Sequence, residues 1–437
     1  MDFFKLKNHG TSVKQELSAG LTTFLAMMYI VPVNAIIMSK TGMPMDALIT
    51  ATALITIIAT VLNGIWANTP VAMSVGMGLN AYFTFGLVIG MGIPWQTALG
   101  VVFLSGMLFV ILSFTDFRIW IIKSIPVDLR RAVSAGVGTF IAFIGLQQMG
   151  IVVNNDDVLV GLGNLKDINV LLGIFGLITV LIFWIVNIKG AFILAVLLTS
   201  VIAWICSISP YPTEIFSIPA SITPILLQLD VKSVFFDSAG VFTLSLLPVV
   251  LVFLVTDLFD SVGTLTGVGT RAGIFSEDNK DGLNNLKKTL EADAAVTVVG
   301  SVIGVSTTTA FVESASGVEQ GGRTGLTAIF CGLFFTLTLF MLPLFKAIPA
   351  NAIYPVLIMV GILMFSEVRD INFKDPAIMV ATFFIVALMP LTYSITNGLA
   401  FGFLSYLLVR VFRREWNEIN IGIIVLAIIS FIVFLVN

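Results

Sequence analysis

Two aspartates, Asp257 and Asp260, sit inside an apolar run of membrane length, LPVVLVFLVTDLFDSVGTLTG from Leu247 to Gly267. A second segment, VSTTTAFVESASGVEQGGRTG from Val305 to Gly325, sets Glu313 and Glu319 among small residues. A carboxylate at bilayer depth costs roughly 2.5–3.5 kcal/mol even on lenient insertion scales, so it normally faces a cavity, a partner or a transported solute. Asp257 and Asp260 are three apart and lie toward one side of a helix. Two anions there repel, and burial disfavours ionisation further, so such a pair is suited to taking up a proton near physiological pH. The plain alternative is structural: carboxylates satisfied by neighbouring amides and hydroxyls. On a membrane-length run, the acids mark a transport pathway. Elsewhere, Glu319 and Arg323 are four apart and read as a structural ion pair or a gate latch. Glu291 and Asp293 read as negative charge at the start of a helix.

The elements that must position these groups are membrane helices. Of 437 residues, 58% are hydrophobic and 11% charged, whereas a soluble domain carries about 25% charged residues. An all-α polytopic membrane protein follows. The N-terminal stretch MDFFKLKNHGTSVKQELSAG has no apolar core followed by a small-residue cleavage site, so no signal peptide is expected. Cys206 and Cys331 lie in apolar runs without CxxC spacing, and the single histidine, His9, lies outside those runs. Neither a metal site, a disulfide framework nor a histidine proton relay is expected. A net charge of −3 without a basic array argues against nucleic acid as a partner.

Apolar stretches near the 20-residue membrane length fall at 19–39, 47–66, 71–90, 96–115, 128–149, 169–187 and 190–208. A second set falls at 245–265, 289–304, 305–322, 324–344, 350–366, 376–391 and 395–412, and a further apolar stretch covers 419–436. Seven plus seven gives about fourteen spans. With the N-terminus in the cytoplasm, Lys5, Lys7, Lys14, Arg118, Lys123, Arg130, Arg131, Lys189, Arg271, Lys280, Lys287, Lys288, Arg323, Arg410, Arg413 and Arg414 all fall inside. The segments 150–168 and 209–240, expected outside, carry only Lys166 and Lys232, as the positive-inside rule requires. An odd number of spans per half starts the second half on the opposite side, which is what an inverted repeat needs. The third span (TPVAMSVGMGLNAYF) and the tenth (VSTTTAFVESASGV) each read as a short extended segment, near Val71–Met77 and Val305–Val312, followed by a half-helix. Irregular backbone at that depth is tolerated only where it is buried in protein or lines a cavity. Half-helix N-termini near Asn80 and Glu313 would then offer free N–H groups to a polar solute. Pro32 should kink the first span.

Four motifs carry a resemblance: GLTTFLAMMYIVPVNAIIMS (Gly20–Ser39), PVAMSVGMGLNAYF (Pro70–Phe83), DLFDSVGTLTGV (Asp257–Val268) and ESASGVEQGGRTGLTA (Glu313–Ala328). Over nearly its whole length the chain resembles the AzgA-like adenine/guanine/hypoxanthine permeases of the nucleobase–cation symporter family. The resemblance implies the inverted-repeat fold of uracil and xanthine permeases, in which a substrate-carrying core slides against a gate. On that scheme residues 1–115 (spans 1–4) and 241–345 (spans 8–11) are core, and 116–208 (spans 5–7) and 346–416 (spans 12–14) are gate. Residues 209–240 form an extracytoplasmic linker and 417–437 an extra apolar segment. It further implies a bacterial-type inner membrane, a dimer through the gate, and substrate contacts at Gly78, Asn80, Asp257, Asp260 and Glu313. Asp260-Ser-Val-Gly263 is similar to a Glu-x-x-Gly motif of the uracil and xanthine permeases, which makes Asp260 the match to their substrate carboxylate.

The chemistry of these residue types agrees with a flat, polar-edged solute. A carboxylate accepts two adjacent N–H groups, and a carboxamide supplies both donor and acceptor. Phe311 and Phe83, and behind them Phe259, stand near enough in sequence to offer a stacking face. Thr23, Tyr29 and Asn34, with Thr264 and Thr266, are secondary candidates, because membrane threonines usually bond their own backbone. Glu313 and Asp260 are the candidates for carrying a coupling proton; sodium is the competing ion, since carboxylates and carbonyls also ligate Na⁺. No resident cofactor is expected. The alternatives are an inorganic or small organic anion carrier on the same fold, which would want a neutral or cationic site; a channel; and an intramembrane paired-Asp protease, which would need its aspartates on two facing helices.

Overall fold

The computed structural model describes residues 2–113, 125–236, 240–272 and 280–436. Arg118 and Lys123, counted above as inside, lie outside the described residues, as do the side chains of Phe259, Thr266, Arg271 and Lys280. Helices α1 (Val13–Met27) and α2 (Ile30–Ser39) form one broken rod. Pro32 has no N–H for the carbonyl of Met28 and its ring crowds that carbonyl, which interrupts the helix at Met28–Tyr29. After α3 (Met45–Trp66) come β1 (Met73–Val75) and α4 (Met77–Ala81), which runs on as a π-helical stretch, Tyr82–Gly90. Then follow α5 (Trp95–Ser113), α6 (Val127–Gln148), the hairpin β2 (Val152–Asn155) and β3 (Leu159–Leu162), α7 (Ile168–Ile185) and α8 (Ala191–Ile205). The second half holds α9 (Lys232–Phe235), α10 (Leu247–Ala272), α11 (Lys280–Ile303), β4 (Thr308–Ala310), α12 (Ser314–Glu319) and α13 (Gly325–Phe335). It closes with α14 (Leu342–Ala347), α15 (Ala350–Phe365), α16 (Pro376–Leu391), α17 (Ile395–Phe412) and α18 (Ile421–Val436).

Among the described residues, 7 helical stretches are long and apolar enough to cross a membrane, and shorter apolar helices accompany them. The protein is an integral, multi-pass membrane protein. The extra apolar segment is helix α18, packed against α17 and α10.

Two expectations need correction. Glu291 and Asp293 do not open a helix: α11 begins at Lys280, so both stand in mid-helix. The polar run around Lys287 and Lys288 reads as a loop but simply extends the helix. Asp293 is fully buried and accepts the Ser261 hydroxyl, while Glu291 accepts the indole N–H of Trp66 at 3.1 Å. The protein is also not wholly helical outside the crossing. Segment 150–168 contains the β2–β3 hairpin, whose turn is set by Asn155 Oδ1 accepting the N–H of Asp157 at 2.9 Å.

The centre of the molecule is a crossing of two extended segments. β1 and β4 pair antiparallel, with Met73 opposite Ala310, Ser74 opposite Thr309 and Val75 opposite Thr308. The pairing continues past both strands: Gly76 N–H donates to Thr307 O (2.9 Å) and Phe311 N–H to Ala72 O (3.0 Å). Every residue of both strands is buried. A buried two-stranded ribbon leaves its outer N–H and C=O groups without ladder partners. Two threonines supply them. Thr60 on α3 donates to Met73 O (2.9 Å) and accepts Met73 N–H (3.1 Å). Thr297 on α11 donates to Thr308 O (3.0 Å) and accepts Thr308 N–H (3.2 Å).

Around the crossing the helices pack in two ways. α1, α3, α5, α11 and α13 contact one another on one side, and α6, α15, α16 and α17 on the other. Glycines set the second group's spacing. A Cβ at Gly138 would lie 2.6 Å from Gly361 O, and one at Gly136 would lie 2.6 Å from Ile385 Cγ2. Only small residues let membrane helices approach so closely.

Candidate functional site

α10 supplies the aspartates, and the crossing supplies the rest. Gly76 precedes the first turn of α4, so Gly78 and Asn80 fall within that turn, and Glu313 occupies the position before α12. Between α10, α4 and the α6–α15 block lies a narrow cleft. One wall carries Gly78, Leu79, Thr256 and Asp260; the other carries Val133, Ser134 and Val137 of α6 and Met364 of α15. Gly78 is required where α4 meets α6, since a Cβ there would lie 2.8 Å from Val137 Cγ1.

Glu313 is held from the first rod. Tyr29, at the α1–α2 break and 1% exposed, donates its hydroxyl to Glu313 Oε1 at 2.5 Å. Its ring meets Phe192 of α8 edge-on, centroids 5.1 Å apart. Helix α12 packs on α10, and the carboxylates of Glu313 and Asp260 act on each other electrostatically across that contact.

Asn80 ends a chain of side chains. Its Nδ2 donates to Asn34 Oδ1 (2.5 Å), Asn34 Nδ2 donates to Thr52 Oγ1 (2.8 Å), and the Thr52 hydroxyl donates to Leu48 O (2.6 Å). The carboxamide oxygen of Asn80 is buried and has no hydrogen-bond partner, and Asn80, like Glu313, is absent from the cleft walls.

Not every candidate lies on the cleft. Asp257 is buried beside it on the same helix, 1% exposed, and is absent from the cleft walls. Neither the ring of Phe83 nor that of Phe311 lines the cleft; both are buried, and the apolar wall is Val133, Val137 and Met364. Arg323 directs its guanidinium at the carbonyls of Val318 (2.6 Å) and Gly322 (2.8 Å), and its N–H reaches the buried Glu16 at 3.1 Å. Glu16 also accepts the N–H of Thr327 (3.1 Å) and so caps the start of α13 from another helix.

Five residues of the site carry weak signals or none. Tyr29 and Asn34 stand out as polar groups in an apolar span, and the structure gives both partners in the site. Thr256 stands one turn before Asp260, a legible spacing. Ser134 and Met364 reach the cleft only through tertiary packing, and nothing local marks them.

An acceptor carboxylate on one wall and a mainly apolar wall facing it fit a flat solute with an N–H-bearing edge. The comparisons with known proteins bear directly on that geometry. Residues 14–401 match the sequence model Xan_ur_permease, described as a permease family. The chain belongs to this family, on its AzgA-like branch. The permease is 39% identical over 426 residues to the adenine permease AdeP of Escherichia coli (98% of this chain, 94% of the relative). It is 41% identical over 433 residues to the guanine/hypoxanthine permease PbuO of Bacillus subtilis (98% and 99%). A putative permease of Methanocaldococcus jannaschii is 43% identical over 427 residues (98% and 96%). Among solved structures, the permease superposes on the transmembrane domain of the cyanobacterial bicarbonate transporter BicA with a TM-score of 0.64 at 13% identity, covering 87% of this chain and 95% of that one. The murine anion transporter Slc26a9 gives 0.65 at 13% identity, covering 92% and 68%. At that identity the permease shares their fold and nothing more.

Proposed function

We propose that this permease is a secondary active transporter that imports purine nucleobases (adenine, guanine or hypoxanthine) by cation symport, with H⁺ as the coupled ion. The observation that carries the reading is the cleft at Asp260, walled by α4 and α10 and faced by α6 and α15. The relatives above, named for adenine and guanine/hypoxanthine and aligned over nearly the whole chain, support the substrate class. Asp260 binds the donor edge of the base and Asn80 a second N–H. Gly78 lets α4 approach the facing wall, and Val137 and Met364 cover the apolar face. Glu313 shares the binding edge or carries the proton, and Asp257 tunes Asp260 from the next turn.

Residues 1–115 and 241–345 act as the moving core, and 116–208 and 346–416 as the gate it slides against, joined by the extracytoplasmic linker 209–240. Fourteen spans in two inverted halves, in the inner membrane with the N-terminus cytoplasmic, complete the scheme. The two threonine clamps support the repeat. A two-fold axis through the Ser74–Thr309 pair carries Met73 onto Thr308, and each is held by a threonine of the preceding helix. The exposed Ile178, Ile182 and Ile185 of α7 are suited to lipid. An inorganic-anion carrier is disfavoured, because Asp260 and Glu313 would repel the cargo. Uptake of labelled adenine, guanine, hypoxanthine and uracil in transport-deficient cells, with and without a protonophore, tests the reading. Purine uptake that collapses with the protonophore is expected; uptake that follows sodium instead replaces the coupled ion, and no purine uptake at all overturns the function.

A further inference from the structure

We propose that the Thr256 hydroxyl pairs with an imidazole-ring nitrogen of a purine whose pyrimidine edge is held by Asp260. The inference rests on the purine reading above and adds a specificity residue to it.

Several buried threonines in these helices donate to the carbonyl four residues back, as Thr52 does to Leu48, Thr56 to Thr52 and Thr179 to Phe175. Thr256 is 3% exposed, yet its Oγ1 has no hydrogen-bond partner. Other buried hydroxyls share that condition, but of them only Thr256 lies on the described cleft wall. A buried hydroxyl without a partner carries a desolvation penalty, and a solute in the cleft would remove it.

Position decides which part of the solute it meets. Thr256 and Asp260 are four apart on α10 and both line the cleft. Their Cβ atoms are therefore about 5–6 Å apart. That spacing exceeds the separation of adjacent heteroatoms on one edge of a six-membered ring and suits heteroatoms on opposite rings of a purine. A hydroxyl both donates and accepts, so it meets either protonation state of an imidazole nitrogen and does not separate amino from oxo purines. It does separate purines from pyrimidines, which have no second ring to reach it.

The test is binding of hypoxanthine, its 7-deaza and 9-deaza analogues and uracil to purified permease and to Thr256→Val and Thr256→Ser. Wild type should bind one deaza analogue about tenfold more weakly than hypoxanthine, the scale of one lost hydrogen bond. Thr256→Val should bind hypoxanthine about tenfold more weakly and no longer distinguish that analogue, while Thr256→Ser keeps the discrimination. A monodisperse Thr256→Val that binds hypoxanthine as wild type does overturns the proposal, as does an equal loss for hypoxanthine and both analogues. Should Thr256→Val aggregate, wild type that binds both analogues as tightly as hypoxanthine overturns it alone. Wild type that binds no purine sinks the functional reading itself; purine binding with an indifferent Thr256→Val sinks only this inference.

Discussion

At the crossing, β1 and β4 leave the helix and hand their outer backbone groups to Thr60 and Thr297. In the block of α6, α15 and α16 the helices stay intact, and Gly136, Gly138 and Gly361 let their backbones touch. The crossing is buried and the block only in part, and they meet the demand of a medium without water by different means. The crossing breaks backbone regularity and replaces ladder partners with hydroxyls, and it sets Gly78 of α4 on the cleft opposite α6. The block keeps its helical ladders and presents a mainly apolar wall of Val133, Val137 and Met364 beside Ser134. On the proposed function, recognition chemistry belongs on the first and a sliding surface on the second. Disturbing one should change binding, and disturbing the other should change stability and turnover.

The largest effects are expected from the carboxylates. Asp260→Asn keeps the size and removes the charge and one acceptor, so purine binding should weaken by roughly 1.5–3 kcal/mol, the scale of a hydrogen bond to a charged group. Glu313→Gln should abolish accumulation against a gradient while counterflow exchange survives. Both are measured on purified, monodisperse protein in liposomes. A stable Asp260→Asn that binds purine as tightly as wild type removes the substrate carboxylate from the scheme.

Overpacking the block comes next. A Cβ at Gly361 meets Gly138 O and the Ala142 side chain, the latter at 2.7 Å. Gly361→Ala should therefore push α15 from α6 at about 1–3 kcal/mol. A fall in melting temperature and in transport rate, with purine affinity little changed, is the expected pattern. An affinity loss without a stability loss would reverse the division of labour.

The clamps sharpen the comparison further. Thr60→Val and Thr297→Val each strip two backbone groups of one partner at constant shape, about 1–2 kcal/mol. Because the two clamps occupy equivalent places, the losses should match, and Ser at either position should restore most of each. Unequal losses in thermal unfolding would mean that one strand depends on its threonine and the other does not.

How much of this was readable beforehand depends on range. The seven described helices long enough to cross a membrane follow from apolar length, and the break in the first rod follows from Pro32. The extended segments at the crossing were signalled by small and β-branched runs around Ser74 and Thr309. Asp260 and Glu313 stand out because a carboxylate in an apolar run is expensive. The Tyr29–Glu313 bond joins residues 284 apart, and no local pattern encodes such a pairing. Ser134 and Met364 are ordinary helix residues until α6 and α15 pack. The start of α11 is not legible because its charged first turns resemble a loop in sequence.

The smallest expected effect lies at the end of the block, where it does use charge. Arg410 of α17, its side chain 8% exposed, donates to Asp375 and to Glu415 and sits 5.0 Å from the Tyr406 ring centroid. Arg413 Nε meets Glu415 at 2.6 Å. Hydrogen bonds from Arg410 first, and then from Arg413, hold the Glu415 carboxyl below the usual carboxylate range. A depressed folded-state value means that the unfolded chain takes up the proton first as pH falls. The contribution of Glu415 is therefore fully present above about pH 4.3, the ordinary glutamate value, and fades as pH drops from there through the folded value. Glu415→Gln should lower the melting temperature slightly at neutral pH, because Arg410 keeps Asp375 and the exposed pair is screened by solvent. The gap to wild type should close as the pH of the melt is taken below about 4.3. A gap that stays constant across that window would show that Glu415 acts through its shape, and that the charge at this end of the block is incidental.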